Sequence, residues 1–139
     1  MALVVWNDTL SVGVKSVDDQ HTVLFNTINR IELLLAKVDI DRGEADYLLA
    51  FLEQYAAQHF NGEETCMARY HCPSHSKNKQ EHGQFLNVVK FCRAEYAAST
   101  PTRELLERLH ATSVWWIKNH ILKVDIQLRD SVELEAQMN

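Results

Sequence analysis

Seven histidines among 139 residues give this sequence its chemical character. His59 and Glu63 stand four residues apart, a step that puts an imidazole and a carboxylate on one helix face, about 6 Å apart along the axis. Asn78 and His82 repeat the step. His21 lies one turn before the apolar pair Leu24 and Phe25, and His120 closes an inward stripe with Asp125 five residues beyond. A lone inward histidine is ordinarily a satisfied core residue; several converging from different helices are not. Burying imidazoles and carboxylates together without a partner costs several kcal/mol per charged group, and a bound cation removes that cost. A thiolate-free set of His and carboxylate donors suits iron or manganese better than structural zinc. His21, His59, Glu63, His82, His120 and Asp125 are too many for one tetrahedral ion and suit two ions that share carboxylates.

Long helices must position these groups. Gly 4 and Pro 2 are too few for a turn-rich β fold. Residues 1–139 read as one domain: an arm over 1–16, helices over about 17–38, 44–70, 74–97 and 101–121, and a polar helical segment over 123–139. Ser16-Val17-Asp18-Asp19 resembles a capping signal for the first helix, whose apolar steps are Leu24, Phe25, Ile28, Ile31 and Leu35. The second helix offers Tyr47, Leu48, Phe51, Leu52, Tyr55, Ala56 and Met67 as its apolar face. Pro73 forces the turn into the third, whose inner stripe is Asn78, His82, Phe85, Val89, Cys92 and Tyr96. Thr100 and Pro101 suit the N-cap and first position of the fourth, which carries Leu105, Leu109, Thr112, Trp116 and His120 inward.

Short connections make these helices an all-α, up-down-up-down antiparallel four-helix bundle. His21 and His82 then lie near helix starts, and His59 and His120 near helix ends, so all four meet at one level. Asp125 fits badly. Five residues of ideal helix leave it about 140° away from His120, so the helix must break or loosen near 121–124.

The remaining features set limits. A net charge of −5 without a basic run argues against nucleic acid and anionic membrane as partners. No stretch approaches the ~18 apolar residues of a membrane span. The N-terminal segment has no basic region before an apolar core, so no signal peptide is expected. Cys66, Cys72 and Cys92 form no CxxC and read as small buried apolar residues with reduced thiols, as in a cytoplasmic protein. His71, His75 and His110 are assigned bland surface roles. Of the adjacent Trp115 and Trp116, only Trp116 is expected inward.

With these residues assembled, the sequence resembles the hemerythrin family, and within it the single-domain bacterial members. The resemblance rests on Trp6, Asp18-Asp19-Gln20-His21, His59-Phe60-Asn61-Gly62-Glu63-Glu64, Met67-Ala68-Arg69-Tyr70 with Pro73, Glu81-His82 with Phe85, and Trp116-Ile117-Lys118-Asn119-His120-Ile121 with Asp125. It runs from Trp6 to Asp125, nearly the whole chain. It implies a binding protein rather than an enzyme: two iron ions with an oxo or hydroxo bridge that take up dioxygen reversibly. His21 and His59 would hold the ion that binds oxygen, His82 and His120 the other, and Glu63 and Asp125 would bridge. Ile121, Trp116, Leu24 and Phe25 would line a dry oxygen pocket. A carrier or store follows, or a sensor that works with a separate redox or signalling partner protein. A di-iron enzyme reducing peroxide, nitric oxide or dioxygen, or an iron-buffering protein, is the alternative.

The departure is at Asn78. The family pattern places a fifth histidine five residues after the proline of the turn, and Pro73 leads to Asn78. Either the Asn78 amide or a water completes the second ion, or His75 swings in from one turn earlier, or that ion is weakly bound or absent and the site is mononuclear or partly loaded. In each case that ion would lose the protected, saturated shell of the family pattern. The native protein is therefore expected to autoxidise faster, or lose iron more readily, than its Asn78→His variant. Equal oxy-form lifetimes and equal iron retention in the two would contradict this.

Overall fold

The computed structural model describes residues 4–97 and 102–138. A 3-10 turn at Asp8–Leu10 precedes α1 (Lys15–Leu35), α2 (Arg42–Arg69), α3 (His75–Ala97) and α4 (Thr102–Trp116). A π-helical segment, Ile117–Asp125, continues α4, and α5 spans Gln127–Met138. The helices pack in sequence order and α1 also packs on α4, which closes the four-helix ring. The start of α1 meets the end of α2, since His21 contacts Glu63, so the neighbours run antiparallel. Thr100 and Pro101, expected to open α4, lie outside the described residues, as does the Tyr96 side chain.

The interior is layered along the bundle axis. Val12, Val17, Met67, Cys72 and Leu128 form a small apolar cluster at one end. The main core includes Leu24, Phe25, Ile28, Leu52, Ala56, Phe60, Phe85, Val89, Trp116, Ile117 and Ile121. Between them, on every helix, falls a polar level: His21 on α1, His59 and Glu63 on α2, Asn78 and His82 on α3, and His120 and Asp125 on the π segment, all buried. The sequence order on each helix (Val17, His21, Leu24; Met67, Glu63, Phe60) dictates this sandwich.

Three expectations need correction. The α1 start lies upstream of the Ser16–Asp19 signal: its N-cap is Val14, without a side-chain bond. Asp18 reaches backwards instead, accepting from the Ser11 hydroxyl at 2.6 Å and the Val12 N–H at 2.9 Å, and so ties the arm to the helix. Tyr47, Phe51 and Tyr55 do not face the core: Tyr47 is exposed and the other two are half-buried. The rows 47/51/55 and 48/52/56 are about 100° apart on a helix, and only the Leu48–Leu52–Ala56 row is buried. The displaced rings stack on one another along the outer flank, with centroids 6.0 and 5.3 Å apart. His110 is half-buried rather than superficial, and its Nε2 lies 3.1 Å from Glu32 Oε2 across α1 and α4.

Helix ends are closed by specific bonds. Asp41 caps α2 by accepting from the Glu44 N–H at 3.1 Å. Arg103 donates to the Leu35, Lys37 and Val38 carbonyls after α1. After α2, the Cys72 N–H bonds to the Met67 carbonyl and the His71 N–H to the Ala68 carbonyl, the paired pattern of a Schellman cap. Its left-handed position is His71, at φ 53°. Non-glycine residues there cost roughly 1–2 kcal/mol. His71→Gly should therefore raise stability by up to about 1 kcal/mol, read as an upward shift in the thermal midpoint; a lower midpoint would contradict the assignment.

Candidate metal centre

The donors converge as two histidine sets joined by two carboxylates. Glu63 Oε2 lies 2.9 Å from His21 Nε2 and 3.4 Å from His59 Nε2, while its Oε1 lies 3.1 Å from His82 Nε2. Asp125 repeats the division: Oδ2 is 3.4 Å from His21 Nε2 and Oδ1 is 2.9 Å from His120 Nε2. Each carboxylate thus turns one oxygen to each set. Asn78 joins the His82 side, where its Nδ2 donates to Glu63 Oε1 at 3.0 Å. Among the described residues, donors of suitable type within 4.8 Å of one another form two groups, Glu63–His82–His120–Asp125 and His21–His59–Glu63. His71, His75 and His110 belong to neither group.

Asp125 reaches the site because the backbone changes pitch. In the π segment each N–H bonds to the carbonyl five residues back, as Ile126 N–H does to Ile121 at 3.2 Å. That closure brings residue i+5 over residue i, and His120 and Asp125 meet. The expected break near 121–124 takes this form.

Sequence reasoning missed the groups behind the histidines. Gln20 Oε1 lies 2.7 Å from His59 Nδ1, Glu64 Oε2 2.9 Å from His82 Nδ1, and Glu81 Oε1 3.1 Å from His120 Nδ1. These oxygens only accept, so each ring donates its Nδ1–H outward and turns an Nε2 lone pair inward, the tautomer a metal ligand needs. Gln20, Glu64 and Glu81 each adjoin a site residue in sequence, but no helical spacing points them at a histidine on another helix. Aromatic rings fix the rest: Phe60 stacks on His82 at 3.9 Å and Trp116 on His120 at 4.2 Å. Leu24, Phe25, Trp116 and Ile121 lie in the main core bordering this level, and Trp115 is 64% exposed.

The arrangement leaves lone pairs facing lone pairs. The Nε2 atoms of His59, His82 and His120, both Asp125 oxygens and Asn78 Oδ1 are buried without a hydrogen-bond partner. Protons offset part of this. Burial disfavours the His21 imidazolium, but Asp125 and Glu63 together outweigh burial and push its pKa up to about 10. Burial would likewise raise the Glu63 pKa, yet the His21 imidazolium beside it holds it well below the usual carboxylate range. Burial lowers the His59 pKa. Burial also opposes charge on His120, but Asp125 raises its pKa. Cations shared by the inward imidazole and carboxylate lone pairs would satisfy those groups, so the donor set fits a metal pair.

A family model described as the hemerythrin HHE cation binding domain matches residues 12–128. The chain belongs to the hemerythrin family. The matched span, residues 12–128, includes every candidate donor described above. Curated relatives agree. The chain is 26% identical over 133 residues to a bacteriohemerythrin of Stenotrophomonas maltophilia, covering 96% of this chain and 84% of the relative. It is 29% identical over 131 residues to one of Clostridium acetobutylicum, covering 91% and 98%. A bacteriohemerythrin of Methylococcus capsulatus is 29% identical over 131 residues, covering 90% and 93%.

The raised His21 pKa has a testable sign. In the metal-free protein the imidazolium contributes stability fully below pH 6.5 and loses it as pH rises through about 10. The thermal midpoint of the metal-free protein should fall across that range, with a shallower fall in a His21→Gln variant. Metal must displace the proton, so calorimetry in buffers of different ionisation enthalpy should register proton release on loading. A flat midpoint with no proton release would contradict it.

Proposed function

We propose that the chain binds two iron ions and, through them, dioxygen reversibly, as a carrier, store or sensor input. The observation that carries this reading is the division of the carboxylates, each with one oxygen toward His21 and one toward the His82/His120 set. His21 and His59 would hold one ion and His82 and His120 the other, with Glu63 and Asp125 offering an oxygen to each. When bound, the iron pair would supply reversible electron exchange with dioxygen.

The protein's own part is to orient and to keep dry. Gln20, Glu64 and Glu81 hold three imidazoles in the ligating tautomer. Stacking by Phe60 and Trp116 restrains the rings of His82 and His120. Leu24, Phe25, Trp116 and Ile121 provide low-dielectric walls in which separating charge is costly. Those walls favour binding over turnover that needs delivered protons.

Anaerobic loading with ferrous iron tests the reading, with iron counted per chain and the spectrum followed as oxygen is added and removed. Two irons per chain and a spectrum that returns on deoxygenation are expected. Irreversible oxidation, or fewer than two irons, would overturn it.

A further inference from the structure

Asn78 does not behave as a substitute ligand. It is wholly buried, and its Nδ2 donates to Glu63 Oε1 at 3.0 Å. An ionised carboxylate only accepts, so this bond sets the amide's sense, nitrogen toward Glu63 and oxygen away. Turning the amide over to offer Oδ1 as a ligand would set two acceptors face to face and break a charge-assisted bond. A carboxylate oxygen has lone pairs to spare, so Glu63 Oε1 can ligate a cation and still accept from Asn78. The amide is a donor beside the ion, not a member of its shell.

Two consequences follow. An ion on that side would have His82 Nε2, His120 Nε2, Glu63 Oε1 and Asp125 Oδ1 as donors, a small set of two imidazoles with carboxylates that would leave coordination positions open. Asn78 keeps a second N–H, and its Oδ1 is buried without a partner. An open position and an unsatisfied amide therefore adjoin each other, because Asn78 Nδ2 and His82 Nε2 contact the same Glu63 oxygen, at 3.0 and 3.1 Å.

Resting on the di-iron reading above, we infer that the His82/His120 ion takes an exogenous ligand of its own beside Asn78. The ligand class is a small anion carrying at most one proton, such as azide or hydroperoxide. The free N–H of Asn78 donates to it, and Oδ1 accepts from it when it is protonated. The step is ligand binding alone, with no electron transferred. The centre then has two positions for small ligands, one on each ion, where the family resemblance implies one.

Azide titration of the full-length, iron-loaded ferric protein tests this, read by charge-transfer absorption and calorimetry after iron has been counted. Native protein with two irons should bind two azides per chain. Asn78→His should bind one. Asn78→Ala should still bind two, with the second about tenfold weaker for want of the donor. One azide per two irons in the native protein would overturn the inference and leave the di-iron reading standing. Equal affinities in native and Asn78→Ala protein would remove Asn78 from the site. Fewer than two irons in the native protein would overturn the di-iron reading and this inference with it.

Discussion

Glu63 and Asp125 have no solvent exposure, and a carboxylate held ionised in such a place is costly unless opposite charge and donors surround it. Much of the structure answers that constraint. The bundle brings His21, His59, His82 and His120 from separate helix ends to the two carboxylates. Groups behind three of these rings then turn the imidazole lone pairs inward, toward negative oxygens rather than away from them. Without a cation that orientation is unfavourable, and Glu63 and Asp125 beside His21 and Asp125 beside His120 raise the pKa of those two imidazoles. The local structure suits a metal in a way that a merely polar core does not.

The π segment meets the same demand in the backbone. Such helices are rare and gather at functional sites. Here the change of pitch is what allows residues five apart, His120 and Asp125, to share a face with contact at 2.9 Å. It also leads into α5, whose Leu128 closes the small apolar cluster over the site. Substituting regular α-helix would turn Asp125 about 140° away and leave one carboxylate to join both histidine sets.

Much of this was legible in the sequence because helical periodicity is a strong rule. The steps from His59 to Glu63 and from Asn78 to His82 locate donors on inner faces, and the poor fit of Asp125 to an ideal helix predicts the pitch change. What stayed hidden depends on relations between helices. Glu64 pairs with His82 across α2 and α3, and Glu81 with His120 across α3 and the π segment, so no spacing within one helix could assign them. The Tyr47–Phe51–Tyr55 row misled for a related reason: two adjacent rows of α2 are both apolar, and only packing decides which is buried. Asp18 carries the acidic mark of a helix start but spends it on the arm, so α1 begins earlier than its capping signal suggests.

The central claim is that Glu63 and Asp125 join two metal positions. Anomalous diffraction at the iron edge, from crystals of anaerobically loaded protein, tests it most directly. The account predicts two iron peaks, one beside His21 and His59 and one beside His82 and His120, with both carboxylates between them. A single peak, or two peaks with Asp125 turned away from either, would contradict it.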